Sequence, residues 1–589
     1  MIKPMLLTMS DDVPEGKDWL YEIKYDGYRA LLFCTESDCR LISRNGKDLS
    51  AQFPEIIEAA ARFNHTHLPL TLDGELVILN NPYQANFARL QQRGRLQNHD
   101  KIIAASQSRP ATYMAFDFLT DNDHPYKKRK KQLASFLKSF PSSRIQYVET
   151  YDDSEEIHKI ASLHLSEGII AKHKQSRYEP GHRTKQWIKT KLWKDVSGFL
   201  TRFDPQNSYY HMEIWDKGQR VPLGSVKNGI ESEQSQTLRT FFKKHGTQRG
   251  KKWELAPSIC ADVHCLGAEN GELREPVFSQ FRFDLEPDDC TVEKRDFDLA
   301  VIPEEIGASK LEKELWPRVT KRDYLIYLRH IAPYQLSFLK QKKVTLIRYP
   351  DGIGEHSFFQ KHRPDYAPEF IESWENDGEQ FMLCNDLSSL LWMGNHGALE
   401  FHIPFQKVSS SYPDEIVFDL DPPSRSEFSL AVTAAQLIKH LMDQLDMISF
   451  VKTSGNKGMQ LHIPIEEGAL TYEETRGFTE AIARLLVKEK PDIFTIERLK
   501  KNRGNRLYLD YIQHAEGKTI VAPYSARATE KATVAAPLFW EELTEDLSPE
   551  SFTILNTIAR IRQRGCPFKD YDRVRKQQPV EQIKKWFLS

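Results

Sequence analysis

The stretch Tyr21-Glu22-Ile23-Lys24-Tyr25-Asp26-Gly27-Tyr28-Arg29 is the part of this 589-residue chain from which the fold is best inferred. It contains a Lys-x-Asp-Gly-x-Arg run and is soon followed by the apolar triplet Leu31-Leu32-Phe33, which predicts a strand. Asp-Gly is typical of a turn. Taken alone, the stretch is compatible with a polar turn at the end of a strand, so its chemical meaning depends on the segments that follow.

Two lysines far downstream would suit Lys24 as a nucleophile. A lysine amine attacks phosphorus only when it is uncharged, and its ordinary pKa is about 10.4. Nearby cations and burial lower that pKa. In Trp187-Ile188-Lys189-Thr190-Lys191, strand alternation places Lys189 and Lys191 on one face. We therefore expect both lysines to lower the pKa of Lys24 and to neutralise a triphosphate.

Four further segments supply groups that suit a nucleotide. Ser43-Arg44-Asn45-Gly46 predicts a turn that presents an arginine, and Asp73-Gly74-Glu75-Leu76 brings a carboxylate suited to a ribose hydroxyl or a metal. Phe116-Asp117 lies in an aromatic run that could stack a purine, and Glu167-Gly168-Ile169-Ile170-Ala171-Lys172 places a carboxylate and a lysine around an apolar strand. Singly each signal is weak, since a DGE triplet is more often a turn than a site.

In this order, the segments up to about residue 285 resemble the motif set of the nucleotidyltransferases that include ATP-dependent DNA ligases, RNA ligases and capping enzymes. The resemblance implies a covalent lysyl-AMP intermediate at Lys24. It further implies nucleotide or 5′-phosphate contacts from Arg29 and Arg44, a ribose contact from Glu75, adenine stacking on Phe116, a metal at Glu167, and phosphate binding by Lys189 and Lys191.

The segment from Leu273 to Asp284 resembles the last motif of the same family, which lies in a small β-barrel of the OB type. The resemblance implies that Arg282 orients the pyrophosphate that leaves during adenylation. Leu285 stands where the family usually has a lysine, which puts that role of Arg282 in doubt.

A second set of catalytic residues is predicted around Asp419-Leu420-Asp421. On a strand, Asp419 and Asp421 project to one face, and such a pair can bridge the two divalent cations that in-line nucleotidyl transfer uses. The alternative is a pair of exposed aspartates at a strand edge. The flanks are apolar, so the carboxylates would be partly buried and costly without a metal. Asp510, in Leu507-Tyr508-Leu509-Asp510-Tyr511, is a third candidate ligand.

Residues 306 to 589 closely resemble the archaeo-eukaryotic primase-type polymerase domain of bacterial DNA ligase D. The segment Thr453-Ser454-Gly455-Asn456-Lys457-Gly458 offers a hydroxyl, backbone amides and a lysine to a triphosphate. Many relatives have histidine where this chain has Gln460, and His462 would share its face and could substitute. The resemblance implies metal ligation by Asp419, Asp421 and Asp510, triphosphate contacts from His402, Ser454, Lys457 and Arg527, and a grip on a downstream 5′-phosphate by Lys313 and Lys321.

The overall organisation is predicted to be multidomain α+β. We expect a ligase nucleotidyltransferase domain (ATP-grasp-like) over residues 1–194 and an OB-fold β-barrel over 195–285, where short strands are broken by Gly and Pro. An acidic, weakly patterned linker is predicted over 286–305, and a primase-like mixed α/β polymerase domain over 306–589. Within the last, Thr471-Tyr472-Glu473-Glu474 predicts a capped helix start.

Composition narrows the class further. Hydrophobic residues make up 40% and charged residues 28%, as in ordinary globular proteins. No apolar run approaches about 18 residues, so no membrane span is expected. Seven cysteines without a metal-type spacing predict a reduced, cytoplasmic protein, with Cys260 and Cys265 as strand residues. The resemblance to DNA ligases implies that the protein is associated with the nucleoid. The net charge of −2 is uninformative about DNA, and Lys127-Lys128-Arg129-Lys130-Lys131 is more simply a solvated helix face.

Both halves together resemble bacterial DNA ligase D in the arrangement that puts ligase before polymerase. The resemblance implies an enzyme that fills and seals broken DNA ends in non-homologous end joining, acting on double-stranded ends and nicks. Its cofactors would be ATP and Mn²⁺ or Mg²⁺, its other substrates NTPs or dNTPs, and its partner a Ku homodimer. Two alternatives remain open at this point: an RNA-repair enzyme with the same lysine chemistry, and an end-bridging scaffold whose second half binds DNA without turnover.

Overall fold

The computed structural model describes residues 3–63, 67–120, 123–269 and 271–588. The chain divides into two compact units, residues 1–301 and 302–589. Each unit is described by itself below.

The first part of the first unit is an α/β body. Its helices are α1 (Pro54–Ala60), α2 (Phe87–Gly94), α3 (His99–Ser108), α4 (Tyr126–Ser139) and α5 (Ser154–Leu163). Its strands are β1 (Leu6–Met9), β2 (Trp19–Lys24), β3 (Tyr28–Cys34), β4 (Cys39–Ser43), β5 (Leu70–Val77), β6 (Leu79–Asn81), β7 (Gln84–Ala85), β8 (Thr112–Phe118), β9 (Ile145–Tyr147), β10 (Gly168–His173) and β11 (Arg183–Lys191).

Two sheets form this body, one with strand order β1-β11-β10-β2 and the other with order β4-β3-β5-β8-β9. Strand β3 explains why its sequence is a continuous apolar run. Leu31 belongs to the core that also contains Ile23 and Trp187 of the first sheet, whereas Leu32 belongs to a separate core with Phe136 of helix α4. The strand is therefore buried on both faces, and the predicted strand over Leu31–Phe33 is confirmed.

The rest of the first unit is an antiparallel β-domain. Strand β12 pairs with β13, β16 and β17, and the edge strand β20 pairs with β17. The elements are β12 (Lys194–Asp204), β13 (Tyr209–Asp216), β14 (Gln219–Val226), α6 (Ser232–His245), β15 (Thr247–Arg249), β16 (Lys252–Glu254), β17 (Cys260–Cys265), β18 (Ala268–Glu269), β19 (Glu272–Leu273), β20 (Val277–Phe281), a 3-10 helix (Pro287–Asp289) and α7 (Val292–Ala300).

The expected linker over residues 286–305 is wrong for most of its length. Helix α7 begins after Thr291, whose side chain accepts a hydrogen bond from the Lys294 backbone N–H. Cys290 is buried in the core of the β-domain, and Val292 and Leu299 pack against that core. The segment up to Val301 is therefore a packed part of the first unit, and residues 302–305 belong to the second unit.

The second unit is a mixed α/β body. Its helices are α8 (Lys321–Leu339), α9 (Leu387–Asn395), α10 (Phe428–Gln444), α11 (Tyr472–Glu489), α12 (Thr557–Arg564) and α13 (Val580–Leu588), with 3-10 helices at Glu304–Ile306, Lys500–Asn502, Trp540–Glu542 and Arg573–Gln577. Its strands are β21 (Glu314–Trp316), β22 (Val319–Thr320), β23 (Thr345–Arg348), β24 (Phe358–Gln360), β25 (Ser373–Asn376), β26 (Glu379–Met382), β27 (Ala398–Pro404), β28 (Glu415–Asp421), β29 (Phe450–Thr453), β30 (Met459–Pro464), β31 (Phe494–Thr495), β32 (Leu507–Asp510), β33 (Thr519–Val521) and β34 (Pro537–Leu538).

A sheet of order β31-β32-β28-β30-β29-β34 carries the residues predicted for catalysis, and a second sheet has the order β24-β23-β27-β33. Helices α10 and α11 pack on β28 of the first of these sheets. The capped start of α11 is confirmed, since Thr471 and Glu474 form a reciprocal capping box. The mixed α/β prediction for this half is therefore confirmed.

Three smaller predictions can be compared with the fold. Cys260 and Cys265 are buried on strand β17, as expected. The expectation of a fully reduced chain is wrong at Cys34 and Cys39, which lie opposite each other on β3 and β4 and form a disulfide. Across the described parts of the chain, no helix combines the length and apolarity that crossing a membrane requires.

The basic run 127–131 forms the start of helix α4. Two of its members are buried in ion pairs: Arg129 Nη2 lies 2.8 Å from Asp117 Oδ2, and Lys130 Nζ lies 2.7 Å from Glu22 Oε1. The remaining lysines of the run are exposed. The run is thus a solvated helix face with two cations turned into the core.

Candidate active sites

Lys24 is the last residue of strand β2, and its row in the sheet contains a second lysine. Gly168 of β10 lies opposite Lys24 on one side and opposite Lys191 of β11 on the other. A Cβ on Gly168 would lie 2.1 Å from the Thr190 carbonyl oxygen, so the close approach of β10 and β11 requires glycine here. The predicted convergence of Lys24 and Lys191 is therefore built by strand register.

One carboxylate pairs directly with the Lys24 amine. Its Nζ forms an ion pair with Glu167, which directly precedes β10. Burial raises the pKa of Glu167, and the charge of Lys24 opposes that rise. The pKa of Lys189 is lowered by burial and by the charges of Lys24 and Lys191. The three lysines thus form the cationic group that the sequence predicted.

Arg29 is held rigidly beside this group. Its Nε and Nη2 donate to the two carboxylate oxygens of Asp73 at 3.2 and 2.7 Å, and its Nη1 donates to the Met5 carbonyl at 2.6 Å. Tyr178 donates to the same Asp73 oxygen as Nη2, at 2.8 Å. Because Asp73 is fully buried, this bidentate pair fixes the guanidinium in one place.

Glu75 lies opposite Arg29 on strand β5. Burial raises its pKa to about 8, against the opposing charges of Lys24 and Arg29. The turn between β2 and β3 comes close to this strand, since a Cβ on Gly27 would lie 2.3 Å from the Leu76 carbonyl oxygen. The glycine of the Lys-x-Asp-Gly run is therefore needed for close packing of the turn on β5.

Phe116 lies on strand β8 and is only 8% exposed. The Lys172 ammonium sits 4.2 Å from the centre of its ring, and the Arg29 guanidinium sits 5.5 Å from it. Lys172 is itself buried and pairs with Glu22 at 2.7 Å, and burial lowers its pKa to about 8. Phe116, which is predicted to stack on adenine, is thus a buried ring that has Lys172 and Arg29 beside it.

The β-domain contacts the lysine motif through two consecutive residues that the sequence did not single out. Arg274 Nη2 lies 2.7 Å from Asp26 Oδ2, and Glu275 forms an ion pair with Lys191. Although burial opposes it, the hydrogen bond and charge of Lys191 hold the pKa of Glu275 below its ordinary value. The Glu275 carboxylate is therefore paired with Lys191, one of the lysines predicted to bind phosphate.

Arg282 and Arg44 lie at the margin of this group. The Arg282 guanidinium pairs with Asp262 at 3.0 Å and with Asp284 at 2.6 Å, so its described partners belong to the β-domain. Arg44 is exposed in the turn after β4, and its backbone N–H donates to the Arg29 carbonyl. In this structure Arg274, rather than Arg282, is the arginine of the last motif that contacts the lysine motif.

The second unit carries a row of polar side chains across its central sheet. Lys452 of β29 lies opposite Gln460 of β30, Gln460 lies opposite Asp419 of β28, and Asp419 lies opposite Asp510 of β32. Gln460 Nε2 donates to Asp419 Oδ1 at 3.1 Å. Burial and the charges of Asp510 and Asp421 raise the pKa of Asp419 to about 6, although the hydrogen bond from Gln460 opposes the rise.

Asp421 is on the same face of β28 but has cationic partners. Its oxygens lie 2.8 Å from Lys457 Nζ and 3.4 Å from Arg503 Nη1. Tyr508 donates to Asp510 at 3.1 Å. Over the described residues, no group of three or more His, Cys, Asp and Glu side chains is arranged to hold a metal. Asp419 and Asp510 suit a cation, whereas Asp421 would first have to leave Lys457 and Arg503.

His402 and Arg527, both predicted to contact a triphosphate, share one carboxylate. Glu400 lies 3.0 Å from His402 Nε2 and 3.2 Å from Arg527 Nε. Although burial opposes it, the hydrogen bond from His402 and the charge of Arg527 hold the pKa of Glu400 below its ordinary value. Glu400 thus joins His402 of strand β27 and Arg527 of a loop into one cluster.

The loop between β29 and β30 reaches the same cluster. Arg527 Nη1 donates to the Ser454 carbonyl at 3.2 Å, and the Ser454 hydroxyl accepts from the Gly458 N–H at 3.1 Å. Lys457 also donates to the Pro422 carbonyl at 2.8 Å. The loop is therefore tied at one side to β28 and at the other to Arg527.

His462 does not substitute for the histidine of relatives. It shares a strand face with Gln460, but its Nδ1 lies 2.8 Å from Glu415 and the side chain is buried. Tyr571 donates to the same Glu415 oxygen. The ring is therefore committed to a buried cluster at the other end of β28.

Lys313 and Lys321 lie together near the start of helix α8. Lys313 Nζ pairs with Asp351 at 2.8 Å and donates to the Pro350 carbonyl at 3.0 Å. Lys321 is buried, and burial together with the charges of Lys313 and Lys310 lowers its pKa to about 8. The structure thus brings together the two lysines predicted to bind a phosphate.

Comparison with known proteins identifies the domains that contain the two candidate sites. Family models match residues 4–191 as an ATP-dependent DNA ligase domain and residues 320–568 as the LigD primase-polymerase domain. The bifunctional non-homologous end joining protein LigD of Bacillus subtilis is 41% identical over 98% of this chain and 98% of its own length. The multifunctional non-homologous end joining protein LigD of Pseudomonas aeruginosa is 25% identical over 92% of this chain and 69% of its own length.

Among solved structures, the polymerase domain of Mycobacterium tuberculosis ligase D in complex with DNA is 25% identical, with a TM-score of 0.42, over 46% of this chain and 98% of that chain. The assignment is carried by the match to the Bacillus subtilis protein and by the two family models, which follow each other as ligase and polymerase. This order was predicted, and it favours DNA end joining over RNA repair. The chain belongs to the LigD family of bifunctional non-homologous end joining enzymes, with an ATP-dependent DNA ligase domain ahead of a primase-type polymerase domain.

Proposed function

We propose that Lys24 is the residue that carries adenylate in the ligase reaction. The observation behind this proposal is the row in which Lys24 and Lys191 flank Gly168, with Glu167 paired to the Lys24 amine. Glu167 is placed to take the proton that Lys24 must lose before it attacks. The amine then forms a bond to the α-phosphorus of ATP, and the bond to pyrophosphate breaks.

The neighbouring residues have distinct roles in this proposal. Lys189 and Lys191 neutralise the phosphates, and Arg29, fixed by Asp73, contacts the nucleotide or the 5′-phosphate. Glu75 contacts the ribose, since a carboxyl whose pKa is about 8 can donate as well as accept near neutral pH. Arg44, Phe116 and Arg282 retain their predicted contacts to the nucleotide, the adenine and pyrophosphate.

Incubation of the purified protein with α-labelled ATP and Mg²⁺ tests the role of Lys24. We expect one label per chain in the wild type, stable to alkali and released by hot acid as for a phosphoramidate, and none in K24A. K159A, which removes an exposed lysine of helix α5, serves as the control and should label like the wild type. Equal labelling of K24A and wild type would exclude Lys24.

We further propose that Asp419 and Asp510 hold a divalent cation, Mn²⁺ or Mg²⁺, in the polymerase. The two residues lie directly opposite each other on β28 and β32, and the charge of Asp510 contributes to the raised pKa of Asp419, as expected for two carboxylates close together. A bound cation would supply charge that activates a 3′-hydroxyl and stabilises leaving pyrophosphate. Asp421 would join this pair after it leaves Lys457 and Arg503. Glu167 is the corresponding candidate ligand in the ligase.

His402, Ser454, Lys457 and Arg527 would bind the incoming nucleoside triphosphate. Their support is the shared Glu400 cluster, which places two cationic groups beside the 454–458 loop. Extension of a labelled primer with NTPs and Mn²⁺ tests the assignment. We expect D419A to lose extension while it keeps Lys24 labelling, because the two sites lie in separate units. Wild-type extension by D419A would exclude this site.

We also propose a cellular role, in which a Ku homodimer recruits the enzyme to DNA ends in the nucleoid. Lys313 and Lys321 would bind the 5′-phosphate of the downstream strand. Its support is the family and the paired lysines near α8. A separate proposal concerns the first unit, in which residues 1–194 form the adenylation domain and residues 195–285 form the OB-fold domain. Joining of mismatched ends should require Ku, NTPs and both Lys24 and Asp419; joining that is independent of Ku would contradict the partner.

A further inference from the structure

The row across the central sheet of the second unit begins with a residue that has no assigned role. Lys452 lies opposite Gln460, and Gln460 lies opposite Asp419, so the three side chains share one face of neighbouring strands. Lys452 is completely buried, and Gln460 is 4% exposed. A buried ammonium is costly, while an apolar side chain of similar length would fill the same space.

Two hydrogen bonds connect the row. Lys452 Nζ donates to Gln460 Oε1, and Gln460 Nε2 donates to Asp419 Oδ1 at 3.1 Å. An ammonium can only donate, and an ionised carboxylate can only accept. With the ammonium form of Lys452 on one side and the ionised carboxylate of Asp419 on the other, only one orientation of the Gln460 amide satisfies both neighbours.

Without Lys452, no neighbouring group would fix the orientation of the Gln460 amide. The Gln460 carbonyl oxygen would be buried without a donor from β29, and the amide could turn its oxygen toward Asp419. A rotated amide would repel the carboxylate that it now holds. Burial and the charge of Arg527 lower the pKa of Lys452 to about 7, whereas the charges of Asp419 and Glu415 oppose that fall and so connect this lysine to the site.

We propose that Lys452 is a positioning residue of the polymerase site, which directs the Gln460 amide toward Asp419 and so holds that carboxylate in the orientation that binds a divalent cation. The inference rests on the proposed role of Asp419. A histidine at position 460 could donate to Asp419 by itself, whereas a glutamine amide needs a second group to orient it.

The measurement that tests this proposal is the affinity of the nucleotide-free protein for Mn²⁺, followed by electron paramagnetic resonance, beside primer extension. Loss of a group that orients a metal ligand typically costs about 10- to 100-fold in affinity or activity. We expect K452M to weaken Mn²⁺ binding by about that factor. The double variant K452M/Q460H should recover to within about fivefold of the wild type, because histidine supplies its own donor.

K342M is the matched control, since Lys342 is also a buried lysine of this unit but pairs with Asp414 at 2.8 Å. Its melting temperature should fall while the Mn²⁺ affinity of the folded protein stays within twofold. K452Q is a second variant in case K452M does not fold. Its amide nitrogen can still donate to Gln460, so we expect it to keep at least a third of the wild-type affinity.

Unchanged Mn²⁺ affinity in K452M would overturn the proposal, as would failure of Q460H to restore it. A Mn²⁺ affinity of K452Q lowered as far as that of D419A would also overturn it. The role of Asp419 is tested separately, because D419A should abolish Mn²⁺ binding whatever residue stands at 452. If D419A binds Mn²⁺ normally, the proposed metal site fails rather than the positioning role.

Discussion

Glu275 forms an ion pair with Lys191, the lysine that stands in the same sheet row as Lys24. The preceding residue, Arg274, pairs with Asp26 at 2.7 Å. Glu275 adopts a left-handed backbone conformation with φ of 50°, which turns the chain at this contact. A carboxylate of the β-domain therefore pairs with a lysine that we propose binds phosphate in the ligase reaction.

This contact predicts that Glu275 competes with ATP. Its side chain is 57% exposed, and exposed ion pairs contribute about 0.2–1 kcal/mol. We expect E275Q to raise the rate of Lys24 adenylation about two- to fivefold at subsaturating ATP, through a lower KM. The rate is measured with α-labelled ATP over a range of concentrations, and E272Q on strand β19 is the control. An unchanged KM in E275Q would contradict the competition.

Glu75 predicts a pH dependence of stability in the first unit. Its pKa is about 8 in the folded protein and about 4.3 when unfolded, so the folded state holds the extra proton between these values. The resulting stabilisation is complete below about pH 4.3 and is lost as the pH rises through 8. Glutamine cannot ionise, so replacing Glu75 by glutamine removes this pH-dependent contribution to stability.

Calorimetry at pH 6 and pH 9 measures this effect through E75Q. The melting temperature of the wild type minus that of E75Q should decrease between these two pH values. E58Q, at an exposed position of helix α1, should show no such change relative to the wild type. A difference between wild type and E75Q that does not vary with pH would show that Glu75 does not titrate in this range.

The parts of both sites that could be predicted from sequence are those fixed by local geometry. Strand alternation alone placed Lys189 and Lys191 on one face, and it placed Asp419 and Asp421 likewise. The register of β11 and β28 confirms these placements. A period of two residues holds in any strand, whatever the tertiary fold.

The missed residues depend on contacts between segments that are distant in sequence. Arg274 and Glu275 lie in the segment from Leu273 to Asp284 that resembles the last ligase motif. No feature of the local sequence indicates that they contact Asp26 and Lys191. Lys452 lies two residues before Ser454, so alternation could have placed it on the same strand face. Its burial and its contact with Gln460 depend on the pairing of β29 with β30.

The helix within the expected linker was missed for a different reason. Acidic composition was given more weight than Thr291, which is a good N-cap residue ahead of the apolar positions Val292 and Leu299. Only the packing of these two side chains on the β-domain core shows that the segment is structured. Composition described the exposed face of the helix, and the buried face was too short to give a periodic signal.

Lys321 predicts that recognition of a 5′-phosphate weakens with rising pH. Its pKa of about 8 means that the ammonium is present below that pH and is lost above it in the free protein. A hydrogen bond to a charged group contributes about 1.5–3 kcal/mol. We therefore expect the preference for 5′-phosphorylated over 5′-hydroxyl gapped DNA to fall about tenfold from pH 7 to pH 9.

Fluorescence anisotropy with the two DNAs measures this preference. K321R should keep it at pH 9, because arginine stays protonated throughout this range. K407R, which changes an exposed lysine paired with Glu467, should follow the wild type. If K321R loses the preference as the wild type does, another group is responsible for the pH dependence.

Gly455 predicts a direct link between the 454–458 loop and Arg527. Its φ is +70°, and an added Cβ would lie 2.7 Å from Arg527 Cγ and 2.8 Å from the Val534 carbonyl carbon. Gly468 has a similar φ of +80° but nothing within 4 Å of the added atom. G455A and G468A therefore share the strain of a left-handed alanine, and only G455A also displaces Arg527.

We expect both variants to lose about 1–2 kcal/mol of stability from this strain. In primer extension, G455A should raise the KM for NTP about tenfold, while G468A should stay within twofold of the wild type. Equal KM values for the two variants would mean that the position of Arg527 does not affect nucleotide binding.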